Sequence, residues 1–176
     1  MAEWVFAYGS LLWNPEFTPL EWRKATLSGY HRSFCMLSIH HRGTLADPGL
    51  VLALDAKTGG VCEGLALKIA PHDHDAVIAM LRERELVSSA YVERLLTVRL
   101  EDGSEVEAYT YVIDADHDQY CDFALETQAK MIAEATGGRG PNHEYLENTQ
   151  GKLQELGVND PDLMWLVDRV RELRAK

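Results

Sequence analysis

The stretch EWVFAYGSLLW, residues 3–13, carries a strongly apolar run that stops at a small, flexible pair of residues. Residues 4–8 are predicted to form a buried strand, because aromatic and β-branched side chains favour strands. The run breaks at Gly9-Ser10 and becomes apolar again at Leu11. Glycine tolerates the backbone angles of an anion-binding nest, in which consecutive N–H groups are exposed. Spacing alone leaves two interpretations open: a ligand-binding turn or an ordinary strand end.

The rest of the first half is also rich in predicted strands. Apolar runs and alternating patterns indicate five more of them. These strands cover residues 27–36, 50–54, 60–69, 91–100 and 106–113. The sequences TGG at residues 58–60 and DG at residues 102–103 are typical of hairpin turns. One helix, at residues 71–85, interrupts the strands, and Asp73 and Asp75 favour its N-terminal end.

The last third of the chain is predicted to be helical. Its three helices cover residues 122–135, 142–156 and 161–173. Gly137-Gly138 suits the C-terminal cap of the first helix, because glycine adopts left-handed angles easily. Asn142 is a good N-cap for the second helix. Pro161, after Asp160, suits the first position of the third helix.

Length and composition favour one folded domain. A chain of 176 residues, 46% of them hydrophobic, can bury a sizeable core. We therefore predict a single domain over residues 1–176. Its fold class is α+β: a mixed, mostly antiparallel β-sheet or barrel with one inserted helix and a helical C-terminal third.

Net charge limits the possible binding partners, and cysteine content and hydropathy indicate the cellular compartment. The formal net charge of −11 argues against nucleic acid or an anionic membrane surface, since both attract a basic face. The three cysteines form no C-x-x-C pair and suit reduced thiols better than disulfides. No apolar run reaches membrane length, and the first predicted strand follows Met1 closely, so no secretory signal is expected. These features predict a cytoplasmic protein, and they give no indication of its oligomeric state.

A carboxylate interrupts the apolar stripe of the predicted inserted helix. Val77, Ile78 and Leu81 form the stripe, and its next position, four residues after Leu81, is Glu85. Burial and the negative end of the helix dipole would both raise the pKa of such a carboxyl, which suits a general acid or base. The alternative is that the helix ends earlier and that Glu85 is solvated or pairs with Arg82.

Two other motifs are better explained by a structural role than by binding of a metal ion or phosphate. The sequence HDHD, residues 72–75, places its histidines on different helical faces, which favours a helix start over a metal site. The sequence GGRG, residues 137–140, follows a helix and lacks the Lys-Ser/Thr ending of a phosphate loop. Neither motif predicts a metal ion or a cofactor.

Several motifs, taken in order, resemble the ChaC family. They are Tyr8-Gly9-Ser10-Leu11, His41-Arg42-Gly43, Pro48-Gly49, Arg84-Glu85, and Gly140-Pro141-Asn142 with Glu144-Tyr145-Leu146. The resemblance extends along nearly the whole chain. Two departures concern neighbouring segments: GLAL at residues 64–67 lacks the tyrosine usual in the family, and small residues replace a glycine pair between Glu85 and Tyr91.

The resemblance implies both a fold and an activity. Members of this family are γ-glutamylcyclotransferases acting on glutathione, so a lyase that releases 5-oxoproline and Cys-Gly is expected, on a γ-glutamylcyclotransferase-like fold. Glu85 is then the catalytic residue. The residues implied in substrate binding are Tyr8, Gly9, Ser10, Leu11 and Tyr145. The implied partner is a small γ-glutamyl compound, with no cofactor and no metal ion.

The sequence leaves two alternatives open. The first is a cyclotransferase for other γ-glutamyl amines or dipeptides. The second is a non-catalytic module that binds a γ-glutamyl ligand. A buried base at Glu85 argues against the second, because a pure binder has no use for it and burial of a carboxylate is unfavourable.

Overall fold

The computed structural model describes residues 2–176. The chain divides into two compact units. The first comprises the chain up to Ser33 together with Ala53–Asp118, and the second comprises Phe34–Leu52 and Gln119–Lys176. Single-domain organisation therefore stays a prediction, and each unit is described by itself.

Five strands form a closed barrel, and most of their residues belong to the first unit. They are β1 (Trp4–Ala7), β2 (Glu21–Ser38), β3 (Gly49–Lys68), β4 (Tyr91–Leu100) and β5 (Glu105–Ile113). Their order is β1-β3-β2-β4-β5, with β3 also paired to β5. The pairs β1–β3, β2–β4 and β4–β5 are antiparallel, whereas β5 runs parallel to β1 and β3. The predicted mixed, mostly antiparallel barrel is confirmed.

Of the two predicted hairpins, one is confirmed and one is wrong. β4 and β5 are joined by a short loop in which Gly103 has a φ of 88°, the left-handed region that glycine favours. At the other glycine turn, β3 continues without interruption through Gly59, whose φ is 75°. A glycine inside a strand allows a local irregularity of this kind without ending the strand.

One helix, α1 (His74–Glu85), is inserted between β3 and β4, as predicted. It follows a short 3-10 helix, Pro71–Asp73, and its N-cap residue makes no side-chain capping bond. Val77, Ile78 and Leu81 are buried, which confirms the apolar stripe. The helix therefore packs this face into the core of the first unit, and it extends to Glu85.

The second unit contains three helices that pack against one another. Its elements after Gln119 are α2 (Leu125–Glu134), β6 (Thr136–Gly137), β7 (Gly140–Pro141), α3 (Asn142–Glu155) and α4 (Pro161–Arg174). Asp160 caps α4, because its side chain accepts a hydrogen bond from the Leu163 N–H over 3.1 Å. The helical C-terminal third is thus confirmed. Within residues 2–176, none of the helices is long and apolar enough to cross a membrane.

The predicted glycine cap of α2 is wrong. α2 is followed by Ala135 in an extended conformation, and Gly137 pairs with Gly140 in a small two-stranded sheet. A methyl group on Gly137 would overlap the backbone of residues 41–43. Glycine is required at Gly137 because two backbone segments approach closely, a contact that the local sequence does not reveal.

The predicted N-cap role of Asn142 is also wrong. Pro141 occupies the N-cap position of α3, and the Asn142 side chain is fully buried. Its Oδ1 accepts from the Leu50 N–H and its Nδ2 donates to the Leu50 carbonyl oxygen, both over 2.8 Å. The amide therefore pairs with β3 as a neighbouring strand would, which satisfies two buried backbone groups.

Candidate active site

The turn after β1 is compact and largely buried. Gly9 precedes a short 3-10 helix, Ser10–Leu12, with φ −134° and ψ −123°, which are neither helical nor extended angles. The first hydrogen bond of this helix runs from the Leu12 N–H to the Gly9 carbonyl oxygen over 2.9 Å. The N–H groups of Ser10 and Leu11 precede that bond, so the helix itself offers them no acceptor. The turn thus has the donors that binding of an anion or carbonyl oxygen would use.

Tyr8 links this turn to the sheet. Its side chain is buried, and its hydroxyl donates to the Tyr111 carbonyl oxygen over 2.6 Å. Tyr8 therefore fixes the end of β1 against β5. The predicted role of Tyr8 in substrate binding stays a prediction, since this contact is with the protein backbone.

Arg84 joins the turn to the end of α1. Its Nη2 donates to Ser10 Oγ over 2.8 Å and its Nη1 donates to the Asn14 carbonyl oxygen over 2.6 Å. The side chain is only 8% exposed. Burial of a guanidinium is unfavourable unless its N–H groups form hydrogen bonds. Arg84 forms these hydrogen bonds with the loop after β1.

Glu85 is the last residue of α1, and its side chain is only 13% exposed. Its Oε1 lies 3.4 Å from Arg84 Nε, so the carboxylate forms an ion pair with the neighbouring guanidinium. Arg82, the partner of Glu85 in the alternative interpretation of the sequence, forms an ion pair with Glu93. The structure thus places Glu85 out of bulk solvent, beside the residue that binds Ser10. Its role as a general acid and base stays a prediction.

The phenol of Tyr111 is close enough to be influenced by Glu85. The pKa of Tyr111 is raised first by burial, then by the charge and hydrogen bond of Glu93, and also by the charge of Glu85. Hydrogen bonds connect the same elements: the Tyr111 hydroxyl donates to Glu93, and Glu93 also accepts from Arg82, three residues before Glu85 on α1. Tyr8, Ser10, Glu85 and Tyr111 are therefore assembled in one region of the first unit.

Sequence reasoning missed the cluster formed by Arg82, Glu93 and Tyr111. Arg82 donates from Nε and Nη2 to the two carboxylate oxygens of Glu93, over 3.1 and 3.0 Å. The Tyr111 hydroxyl donates to Glu93 Oε1 over 3.0 Å. The hydrogen bonds from Arg82 are the main reason why the pKa of Glu93 is lowered. The sequence predicts the β4–β5 hairpin but not its register, and it is the register that places Glu93 opposite Tyr111.

Tyr145, the remaining predicted substrate-binding residue, lies in the second unit. Its hydroxyl accepts a hydrogen bond from the Leu52 N–H over 3.1 Å. Its ring meets that of Phe34 edge-on, with centroids 6.0 Å apart, and the Arg42 guanidinium lies 5.7 Å from its centroid. These contacts give Tyr145 a structural role within this unit, and its contact with substrate stays a prediction.

The HDHD motif does not form a metal site in the part of the chain described here. His72 is exposed beside Asp73, whereas His74 is buried and donates from Nε2 to the Ala2 carbonyl oxygen over 2.8 Å. Among residues 2–176, no three His, Cys, Asp or Glu side chains are arranged to hold a metal ion. The motif spans the junction between the short 3-10 helix and the start of α1.

The combination of this barrel with the YGSL turn and the Arg84-Glu85 pair defines a known class of protein. Residues 3–173 match the ChaC-like protein family, so the chain belongs to that family.

Several named proteins are similar to this chain over almost its entire length. The glutathione-specific gamma-glutamylcyclotransferase of Escherichia coli (strain K12) is 35% identical over 174 residues, covering 98% of this chain and 74% of that protein. Gamma-glutamylcyclotransferase 2-3 of Arabidopsis thaliana is 33% identical over 183 residues, covering 100% and 92%. The human glutathione-specific gamma-glutamylcyclotransferase 1 is 30% identical, covering 96% and 78%.

Solved structures agree with the fold. The crystal structure of a yeast gamma-glutamyl cyclotransferase specific to glutathione matches with a TM-score of 0.89 at 23% identity. The match covers 98% of this chain and 97% of the yeast chain. The predicted γ-glutamylcyclotransferase-like α+β fold is therefore confirmed.

Proposed function

We propose that this protein is a lyase that cyclises the γ-glutamyl group of glutathione and releases 5-oxoproline and Cys-Gly. The observation that carries the proposal is the position of Glu85, a largely buried carboxylate beside Arg84, which itself binds the YGSL turn through Ser10. Family membership and relatives named for this reaction support the same assignment.

The reaction needs little beyond placement and proton transfer. The free α-amine of glutathione attacks the γ-carbonyl carbon of the same residue, which forms the C–N bond of a five-membered lactam. The amide bond to cysteine then breaks, and the electron pair leaves with the cysteine nitrogen. Nucleophile and electrophile belong to one molecule, so much of the entropic cost of their encounter is absent. The atoms and electrons of this cyclisation balance without water, a cofactor or a redox partner.

Glu85 supplies the proton transfers. The α-amine is largely protonated at neutral pH and cannot attack in that form, so a base must remove a proton. The same carboxyl then donates a proton to the departing nitrogen. A position of 13% exposure at a helix C-terminus suits this exchange, because the carboxyl is not fully stabilised by water as an anion.

The turn after β1 supplies binding. Backbone N–H groups from Tyr8 to Leu11 hold the γ-glutamyl part, either at its α-carboxylate or at the oxyanion that develops on the carbonyl. Tyr8 and Tyr145 complete the proposed set of substrate-binding residues.

Turnover of two substrates tests this function. Purified protein is incubated with glutathione and, separately, with γ-glutamyl-alanine, and 5-oxoproline is quantified with the amine product. Equimolar 5-oxoproline and Cys-Gly from glutathione is the expected result. Faster release of 5-oxoproline from γ-glutamyl-alanine than from glutathione would instead identify a cyclotransferase for other γ-glutamyl compounds. Thermal stabilisation by glutathione without product would identify a binding module.

We place this reaction in the cytosol. Cys35, Cys62 and Cys121 are buried and are not joined in disulfides within residues 2–176, and reduced cysteines are typical of a reducing compartment. Burial raises the pKa of the Cys121 thiol to about 11, so this thiol stays protonated at neutral pH.

A further inference from the structure

The cluster of Arg82, Glu93 and Tyr111 is not part of the YGSL and Arg-Glu motifs. Glu93 is its centre: both carboxylate oxygens accept from Arg82, and Oε1 also accepts from the Tyr111 hydroxyl. The two bonds from Arg82 form a bidentate pair, the most directional arrangement available to an ion pair. One carboxylate therefore joins a helix, α1, to two strands, β4 and β5.

The helical end of the cluster is the turn that carries Glu85. Arg82 lies three residues before Glu85, so the two side chains project from neighbouring positions on one side of α1. The Arg82 carbonyl oxygen accepts from the Leu86 N–H over 2.9 Å, which closes this turn. Anchoring Arg82 by its side chain consequently restrains the backbone from which Glu85 projects.

The other end of the cluster is fixed by the sheet. Glu93 and Tyr111 are directly opposite each other in the β4–β5 pair. The Tyr111 side chain is fully buried, and its carbonyl oxygen accepts from the Tyr8 hydroxyl. Glu93 is thus held on a rigid pair of strands that also fixes the end of β1.

We propose that Arg82 and Glu93 are positioning residues, which hold the last turn of α1 against the β4–β5 hairpin at Tyr111 and so fix the Glu85 carboxylate for proton transfer. This inference rests on the proposed function. Neither residue has to contact the substrate, and both act through the placement of Glu85.

Loss of a positioning residue lowers kcat, whereas loss of a purely structural residue lowers the melting temperature. Arg82 is more than half exposed, and a single exposed ion pair contributes little to global stability. Rates are more sensitive, because displacing a catalytic group by about 1 Å can lower a rate about 100-fold. Loss of the pair should therefore lower kcat strongly while the melting temperature changes little.

Kinetics of four variants test the proposal. We expect kcat for glutathione to fall about 30-fold in Glu93→Ala and in Arg82→Ala, with KM within about twofold of wild type. The double variant should be no slower than Glu93→Ala, because that single variant already removes the contact with Arg82. Glu105→Ala is the matched control: it breaks the Arg99–Glu105 pair on the same two strands and should leave kcat unchanged.

Hydrogen exchange gives a readout that does not depend on turnover. Amide exchange in the peptide spanning residues 83–90 should accelerate in Glu93→Ala and not in Glu105→Ala, because the hydrogen bond that closes the turn opens more often. A kcat within twofold of wild type in both single variants would overturn the positioning role, as would unchanged exchange over this segment. A wild-type protein that releases no 5-oxoproline overturns the proposed function instead, and with it any positioning role in that reaction.

Discussion

Arg84 donates a hydrogen bond from Nη2 to Ser10 Oγ over 2.8 Å, although the two residues are 74 positions apart in the chain. The contact ties the end of α1 to the turn after β1. Because Glu85 follows Arg84 directly, the carboxylate and the backbone N–H groups of the turn belong to one connected arrangement. The proposed chemistry depends on this connection.

Replacing Arg84 by lysine should damage both activity and stability. A lysine ammonium is a single point and cannot reproduce two separate guanidinium donors to Ser10 and Asn14. We expect kcat/KM for glutathione to fall about 10- to 100-fold, and the free energy of unfolding to fall by about 2 kcal/mol. Steady-state kinetics and chemical denaturation measure these changes. Arg99→Lys, at an exposed pair, is the control, and wild-type activity in Arg84→Lys would show that the connection is dispensable.

A side chain at Gly9 should interfere with substrate. If the γ-glutamyl group approaches the backbone after β1, a valine at Gly9 occupies part of its space. We expect the dissociation constant for glutathione to rise at least about tenfold in Gly9→Val, which corresponds to about 1.4 kcal/mol. Gly9→Ala should show a smaller effect. Calorimetric titration provides the measurement, and an unaltered affinity would mean that the turn does not contact the ligand.

Acid should remove the stabilisation that Glu93 contributes. Hydrogen bonds from Arg82 lower the pKa of Glu93 in the folded state, whereas an unfolded glutamate titrates near about 4.3. The contribution is therefore complete above the unfolded pKa and is lost as the pH falls through the folded pKa. We expect Glu93→Gln to melt about 1–3 °C below wild type from pH 6 to 8. The two melting curves should converge below about pH 4. A gap that stays constant down to pH 3 would contradict this account.

Gly49 should not tolerate even a methyl group. An added Cβ would overlap the Arg42 carbonyl oxygen and would lie 2.7 Å from Asn142 Oδ1. We expect Gly49→Ala to lower the free energy of unfolding by about 3 kcal/mol or more. Gly151→Ala is the matched control, since nothing lies near its Cβ inside α3, and it should stabilise the protein by about 0.5–1 kcal/mol. Equal stabilities of the two variants in urea unfolding would refute the close approach at Gly49.

Local patterns in the sequence were sufficient to predict most elements of the fold. The apolar stripe of α1 predicts that the helix extends to Glu85, and Asp160 with Pro161 predicts the start of α4, because each depends on neighbours within one turn. The β4–β5 hairpin was predicted from residues 102–103, but a two-residue loop would have paired Glu93 with Val112. In the structure the Leu100 N–H donates to the Ser104 carbonyl oxygen, so three residues lie between this last hydrogen-bonded pair, and Glu93 is opposite Tyr111.

Contacts between distant segments were not predictable in this way. The sequence shows Arg84 only as the neighbour of Glu85, and the folded chain shows that its side chain reaches Ser10. Asn142 fits the pattern of a helix cap, yet its amide pairs with Leu50, which lies 92 residues away. In both cases a side chain satisfies backbone or hydroxyl groups of a remote segment, and no local periodicity encodes that choice.

The most direct test of the central claim is 5-oxoproline formation from glutathione by wild type and by Glu85→Gln. Removal of the only proposed acid and base should lower the rate by at least about 1000-fold. The melting temperature should be unchanged or higher, because glutamine removes a partly buried charge while keeping the shape of the side chain. Glu83→Gln, on an exposed position of the same helix, should retain full activity. Full activity in Glu85→Gln would contradict the account, because the carboxylate beside Arg84 would then have no part in the reaction.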